Sequence, residues 1–298
     1  MTQSFDDKSF SGYPSRTLTR SMSSPRTLFG TVMTILAFTC GALALLPLLA
    51  VLSYVTIQGF SSLSLSVFTE LPPPPFVQGG GFGNAILGTL IMVGIAAAIS
   101  VPFGVMAAIY LTEFSTNNVS RWIRFATNVL SGVPSIIAGV FAYGIVVLTL
   151  GKFSALAGGV ALSVLMLPVI VKTTDEALQL VPQDLRQAAV GLGATKFQTV
   201  WQVVLPAAIP AIVTGATLAI ARASGETAPL LFTALFAQFW PTDLLSPTPS
   251  LAVLVFNFAI SPFPNQRSLA WAASLILVLM VLITSIIARL ATRRKVYG

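Results

Sequence analysis

Two stretches of this 298-residue chain hold residues able to do more than pack. The first is Arg222-Ala223-Ser224-Gly225-Glu226-Thr227-Ala228-Pro229, which places two opposite charges inside an otherwise apolar run from Pro206 to Phe236. A charged side chain at mid-bilayer costs about 2.5–3.5 kcal/mol on insertion scales, so neither residue should face lipid. Four-residue spacing allows both on one helix face, as a pair. Arg222 lies about 24 Å beyond Pro206 along an ideal helix, in the middle to outer part of a span. Gly225 and Pro229 loosen the helix there. A guanidinium fork suits tetrahedral oxyanions, and a nearby carboxylate keeps such a site weak. Arg222, Glu226 and Thr227 are therefore candidates to line an anion path. The same pair would equally serve as an interhelical tie fixing packing against a partner chain.

The second stretch runs from Lys172 to Pro206. Pro182 suits a first helical turn, Asp184 complements the dipole there, and Gly191 or Gly193 can end the helix. Leu185, Ala188, Ala189 and Leu192 fall at three- and four-residue spacing and make one apolar stripe. Thr195 with Gln198 predicts a capping box for a second short helix ending at Leu205-Pro206. The result is a helix–turn–helix elbow. Small residues at 188 and 189 let another protein approach its backbone closely.

These residues must be positioned by a membrane fold. Of the chain, 55% is hydrophobic and 8% charged, against roughly a quarter charged in soluble domains. The mean hydropathy is +0.88. The net charge of +7 does not imply nucleic acid, because the basic residues sit at the ends of apolar runs rather than on one soluble face. There is no histidine and one cysteine, Cys40, so Ser-His-Asp chemistry, His metal sites and a disulfide framework are excluded. No Ser/Lys or paired-Asp constellation supports an intramembrane hydrolase either. The absence of a G-x-x-x-x-G-K-[ST] loop leaves nucleotide hydrolysis to another polypeptide.

Apolar runs predict six spans, roughly Leu28–Ile57, Ile86–Leu111, Phe125–Leu150, Leu156–Val171, Pro206–Phe236 and Leu269–Leu290, the fourth extendable at both ends. Leu251–Ile260 is too short to cross and is expected at the interface or re-entering. With the N-terminus inside, thirteen Lys and Arg fall on inner segments and only Lys152 and Arg267 on outer ones, which predicts both termini cytoplasmic. Residues 1–27 read as a disordered cytoplasmic tail and 28–298 as a six-helix transmembrane domain, with a long cytoplasmic loop at 172–206. Pro72–Pro75 followed by Gly79–Gly81 reads as a stiff connector and a flexible joint. Ser131-Gly132-Val133-Pro134-Ser135 predicts a kink or close helix crossing, and Gly94, Gly104, Gly139 and Gly144 read as packing positions. Trp122, Trp240 and Trp271 are expected as interfacial anchors.

Two resemblances narrow this reading. Gln187-Ala188-Ala189, then Gly193, then Val203-Val204-Leu205-Pro206 resembles the E-A-A-x3-G-x9-I-x-L-P loop of ATP-binding-cassette importer permeases, with every spacing matched. Gln187 departs from the usual Glu and Val203 from Ile. Arg222 through Leu231, with Gly83-Asn84-Ala85-Ile86-Leu87-Gly88-Thr89-Leu90 and Ser261-Pro262, is similar to the phosphate-specific permeases of the PstA type. The resemblance implies an all-α, six-span, type I importer (MetI-like) permease fold in a bacterial plasma membrane. It implies that Gln187, Ala188, Ala189, Gly193, Leu205 and Pro206 couple to an ATPase. It also implies partners: a second permease of similar fold, an ATPase dimer that binds ATP and Mg, and an external phosphate-binding protein. Surrounding lipid is expected and nucleic acid is not, and no cofactor is expected in this chain. Import of sulfate or molybdate remains an alternative, as does a stand-alone carrier, although no inverted repeat of the usual carrier kind is present.

Overall fold

The computed structural model describes residues 25–293. Every regular element among them is helical. The chain divides into two units, Met1–Tyr54 and Val55–Gly298. Of the tail expected over residues 1–27, all but the last three lie outside the described residues. What is described of the first unit is α1 (Pro25–Ser61) as far as Tyr54, a continuous apolar helix.

The second unit holds the rest. In chain order it contains α2 (Ser66–Thr69), α3 (Gly83–Ile109), α4 (Asn117–Ser131), α5 (Ser135–Ala142), α6 (Leu148–Leu150), α7 (Ala155–Gln179) and α8 (Gln183–Gly191). There follow α9 (Lys196–Thr199), α10 (Leu205–Ser224), α11 (Ala228–Thr233), α12 (Leu251–Ala259) and α13 (Pro264–Arg293). Wider π-helical turns at Tyr110–Phe114, Tyr143–Val147 and Val200–Val204 extend α3, join α5 to α6, and join α9 to α10.

Five helical stretches are long and apolar enough to cross a membrane alone: Pro25–Ser61, Gly83–Phe114, Ala155–Gln179, Lys196–Ser224 and Pro264–Leu290. The fourth predicted span is extended at both ends, as expected. The third, predicted over Phe125–Leu150 with a kink or close crossing at 131–135, is broken more sharply than a kink. Helix α4 meets the α5–α6 stretch at 101°, and a sixth span exists when that bent pair counts as one. Pro134 has no N–H to continue α4 and pushes Val133 away from helical geometry, so the chain turns and restarts at Ser135. The second elbow helix does not end at Leu205-Pro206 either. It continues through the Val200–Val204 turn into α10, the wider turn relieving the clash of the Pro206 ring with the preceding carbonyls.

Helix α7 forms the centre of this unit. Its Leu162, Met166 and Ile170 pack with Met92 and Ala96 of α3, Ala219 and Ala223 of α10, and Leu230 of α11. Small residues make the approach possible. A Cβ at Gly158 would fall 2.6 Å from the Met92 sulfur, and one at Gly104 2.8 Å from Ile170. Gly139 likewise admits the Pro229 backbone of α11. Gly94 and Gly144 face no atom within 4 Å, so the packing role expected for them is not met within this chain.

A second cluster closes the opposite end of α3 from the elbow. Leu251, Leu254 and Phe258 of α12 are buried against Phe82, Ala85, Leu269 and Ala273, so α12 is folded into the protein. The Gly83–Leu90 motif is structural here. Asn84 donates to the Phe239 carbonyl at 3.2 Å, and Thr89 accepts from the Leu251 N–H at 2.8 Å. The proline-glycine segment is stitched down rather than hanging free. Asn265 donates to the Val77 and Gly79 carbonyls and Gln266 to that of Pro73.

Candidate translocation and coupling site

The charge pair sits at a break in the backbone. Helix α10 ends at Ser224, where the N–H groups of Gly225 and Glu226 bond back to the Arg222 and Ala223 carbonyls. Helix α11 restarts at Ala228, with the Thr227 carbonyl accepting from Leu230 and Leu231. Arg222 and Glu226 therefore do not lie on one continuous helix, as their spacing predicted. Proline at 229, in the first turn of α11, suits a helix start and not a helix interior. The two side chains still approach, Arg222 Nε standing 3.8 Å from Glu226 Oε1, which is an ion pair but too long for a hydrogen bond. The Arg222 side chain is 70% exposed and that of Glu226 19%. Leu165, Met166, Val169, Ala219 and Ala223 line a shallow crevice beside them. The fork of Arg222 thus projects from an apolar wall, loosely held by one carboxylate. Thr227 is half-buried, and its side chain makes no cap on α11.

The elbow takes the form the sequence predicted up to α9. Pro182 is the residue just before α8 rather than in its first turn, and Asp184 follows within that turn. Gly193 has φ +86°. Its N–H bonds to the Val190 carbonyl at 2.9 Å and that of Ala194 to Ala189 at 3.1 Å, a left-handed helix stop that satisfies two otherwise orphan carbonyls. The Thr195–Gln198 capping box forms in both directions. Of the apolar stripe only Ala189 is buried, while Leu185, Ala188 and Leu192 are exposed. Gln187 is exposed, Val204 is buried, and Leu205 and Pro206 open α10. Exposed Val190 and Phe197 enlarge the apolar face that the elbow presents.

Two further links were not seen in the sequence. Arg186, on α8, donates to the Glu113 carboxylate and, at 2.7 Å, to the Leu178 carbonyl. Arg124 of α4 forks onto Asp175 of α7 at 2.8 and 2.9 Å, and Thr112 donates to the same carboxylate at 2.7 Å. Neighbouring residues of one π-helical turn, Thr112 and Glu113, thereby bind the end of α3 to α7 and to α8. Lys196 stands 5.4 Å from the centre of the Phe114 ring, adding a cation–π contact from the second elbow helix. The only sequence signal was an acidic residue near the end of each of two apolar runs. The partners are 51, 63 and 73 residues away, beyond any spacing rule.

Residues 100–297 match the family model of binding-protein-dependent transport system inner membrane components. The chain belongs to this family. It is 44% identical over 239 residues to the phosphate transport system permease protein PstA of Yersinia pestis, covering 80% of this chain and 81% of that one. It is 38% identical to PstA of Pasteurella multocida over 91% of this chain and 96% of the relative. Among solved structures it is similar to the MetNI methionine ABC transporter in inward-facing form, with a TM-score of 0.57 at 21% identity over 71% of this chain and 93% of that one. A bacterial alginate ABC transporter gives 0.58 at 13% identity over 90% and 93%. Both likenesses show a fold shared with chains of ABC transporters.

The stop at Gly193 gives a direct test within this family. A β-branched residue at positive φ is disfavoured by about 1–2 kcal/mol. Gly193→Val is expected to displace the elbow and lower ATP-driven uptake per assembled complex, with the amount of chain in the membrane unchanged. Normal uptake and normal ATPase stimulation in that variant would remove the elbow from the coupling path.

Proposed function

We propose that this chain is the membrane-spanning permease subunit of an ATP-binding-cassette importer that carries inorganic phosphate across a bacterial plasma membrane, with both termini on the cytoplasmic side. The observation that carries the reading is the likeness to PstA permeases over four-fifths or more of both chains. The elbow supports it physically. An uncovered apolar face formed by Leu185, Ala188, Val190 and Leu192, on an elbow whose first helix ends in a built stop and whose second begins with a capping box, suits insertion into a cleft on a cytoplasmic ATPase dimer. That dimer would bind ATP and Mg and hydrolyse the nucleotide, while this chain performs no bond chemistry.

In this reading a second permease of similar fold completes the path, and an external phosphate-binding protein delivers the anion. Arg222 is the cation that meets phosphate in transit, with Glu226 and Thr227 beside it. Glu226 competes for the guanidinium, so the anion is released rather than held. Force from the ATPases enters at Gln187–Gly193 and reaches α10 through Leu205 and Pro206.

The test is uptake of labelled phosphate into vesicles holding the purified complex. Uptake is expected only with ATP inside, and only when the external binding protein is present. Displacement of phosphate by sulfate or molybdate at equal concentration would reassign the cargo. Uptake by this chain alone, driven by a proton gradient, would make it a stand-alone carrier.

A further inference from the structure

We infer that α4 is an in-plane anchor that seats on anionic phospholipid in the leaflet at the elbow end of the molecule. The apolar run Phe125–Leu150, which begins inside α4, promised a span, but the 101° bend at Gly132–Pro134 turns α4 across the direction of the helix that follows. When the α5–α6 stretch stands across a bilayer, α4 lies close to the membrane plane. Its surface divides into three strips, as a helix at a water–lipid boundary requires.

One strip faces the protein. Ser120 and Thr127 are buried on it, and Arg124 reaches Asp175 of α7. A second strip is apolar and open. Val119, Trp122, Phe125 and Val129 are exposed, with Trp122 at 72% and Phe125 at 59%. Those two aromatic rings meet edge to face at 6.0 Å, forming a rigid wedge of the kind that favours the headgroup level. The third strip carries Arg121 and Asn128, both exposed and seven residues apart, hence on one side of the helix.

Charge selects the occupant. Residues 117–131 contain two arginines and no acidic residue. Arg124 is committed to Asp175, which leaves Arg121 as the cation turned outward at the edge of the apolar strip. An apolar wedge flanked by a cation complements an anionic lipid, acyl chains against the wedge and phosphate against the guanidinium. The Arg124–Asp175 link then ties this lipid-borne helix to α7, which leads into the elbow. The inference depends on the chain residing in a membrane and not on what it carries.

The experiment uses the whole transporter complex in nanodiscs of phosphatidylcholine, with or without phosphatidylglycerol. Single cysteines at Phe125, Val129 and Asn128, in a Cys40→Ser background, carry an environment-sensitive fluorophore. Lipid-borne nitroxide near the headgroup is expected to quench the labels at 125 and 129, and aqueous iodide the label at 128. If iodide reaches all three equally, or if a partner subunit shields 125 and 129 from both quenchers, the anchor is refuted. Arg121→Gln is expected to reduce the preference of the 125 label for nitroxide-bearing phosphatidylglycerol over phosphatidylcholine about fivefold, the effect of one basic residue near a membrane surface. An unchanged preference would overturn the anionic part of the inference.

Discussion

Removing the guanidinium of Arg186 is expected to abolish most ATP-driven uptake, and Glu113→Ala is expected to do the same. The two side chains are 15% and 8% exposed, so each truncation leaves the other charge largely buried without its counterpart. Breaking one half of a buried pair costs about 3–5 kcal/mol, enough to unseat the elbow from the end of α3. Loss of uptake alone would not separate a folding role from a coupling one. The double variant Arg186→Met with Glu113→Met does so. Replacing a buried pair by apolar groups of similar volume is often neutral for stability, so the complex should assemble. If the pair transmits elbow motion to α3, that assembled complex will still hydrolyse ATP but import little. If uptake per complex is normal, the pair only holds the structure together.

The pair also marks where reading residues in sequence stops working. Local devices were legible because their causes are local. Gly193 ends a helix by its own backbone freedom, and Gln198 caps Thr195 three residues away. The six apolar runs were legible because the bilayer imposes one length on all of them. The bend at Pro134 was visible as a kink, but not its angle. The angle is fixed by what α4 packs on, and Arg124 finds Asp175 only after α7 has folded beside it. Of the glycines read as packing positions, Gly104 and Gly139 meet neighbours while Gly94 and Gly144 meet none. Composition shows that a position is small, not what approaches it. The break after Ser224 shows the same limit. Four-residue spacing implied one helix face, yet the first helix ends at Ser224 between the charges, and the next opens at Ala228-Pro229, beyond both.

That break sharpens the test of Arg222. Within this chain the guanidinium is largely exposed and touches Glu226 only at 3.8 Å, so the pair is too loose to be a strong structural clamp here. Arg222→Lys keeps the charge but replaces a planar fork with a single ammonium. If the fork receives the phosphate oxygens, this variant assembles normally and loses most of its uptake. Arg222→Gln and Glu226→Gln separate the remaining possibilities. Should a second permease bury the pair, either single change strands a charge and lowers the yield of complex, while the double change restores it. Uptake is then measured on the assembled double variant in vesicles, normalised to transporter. An anion path that depends on Arg222 predicts an intact complex that hydrolyses ATP and imports no phosphate. Full uptake by the double variant would reduce Arg222 and Glu226 to a packing contact. In that event the phosphate would have to be met elsewhere along the path, because Arg222 is the sole Lys or Arg within the long apolar run Pro206–Phe236.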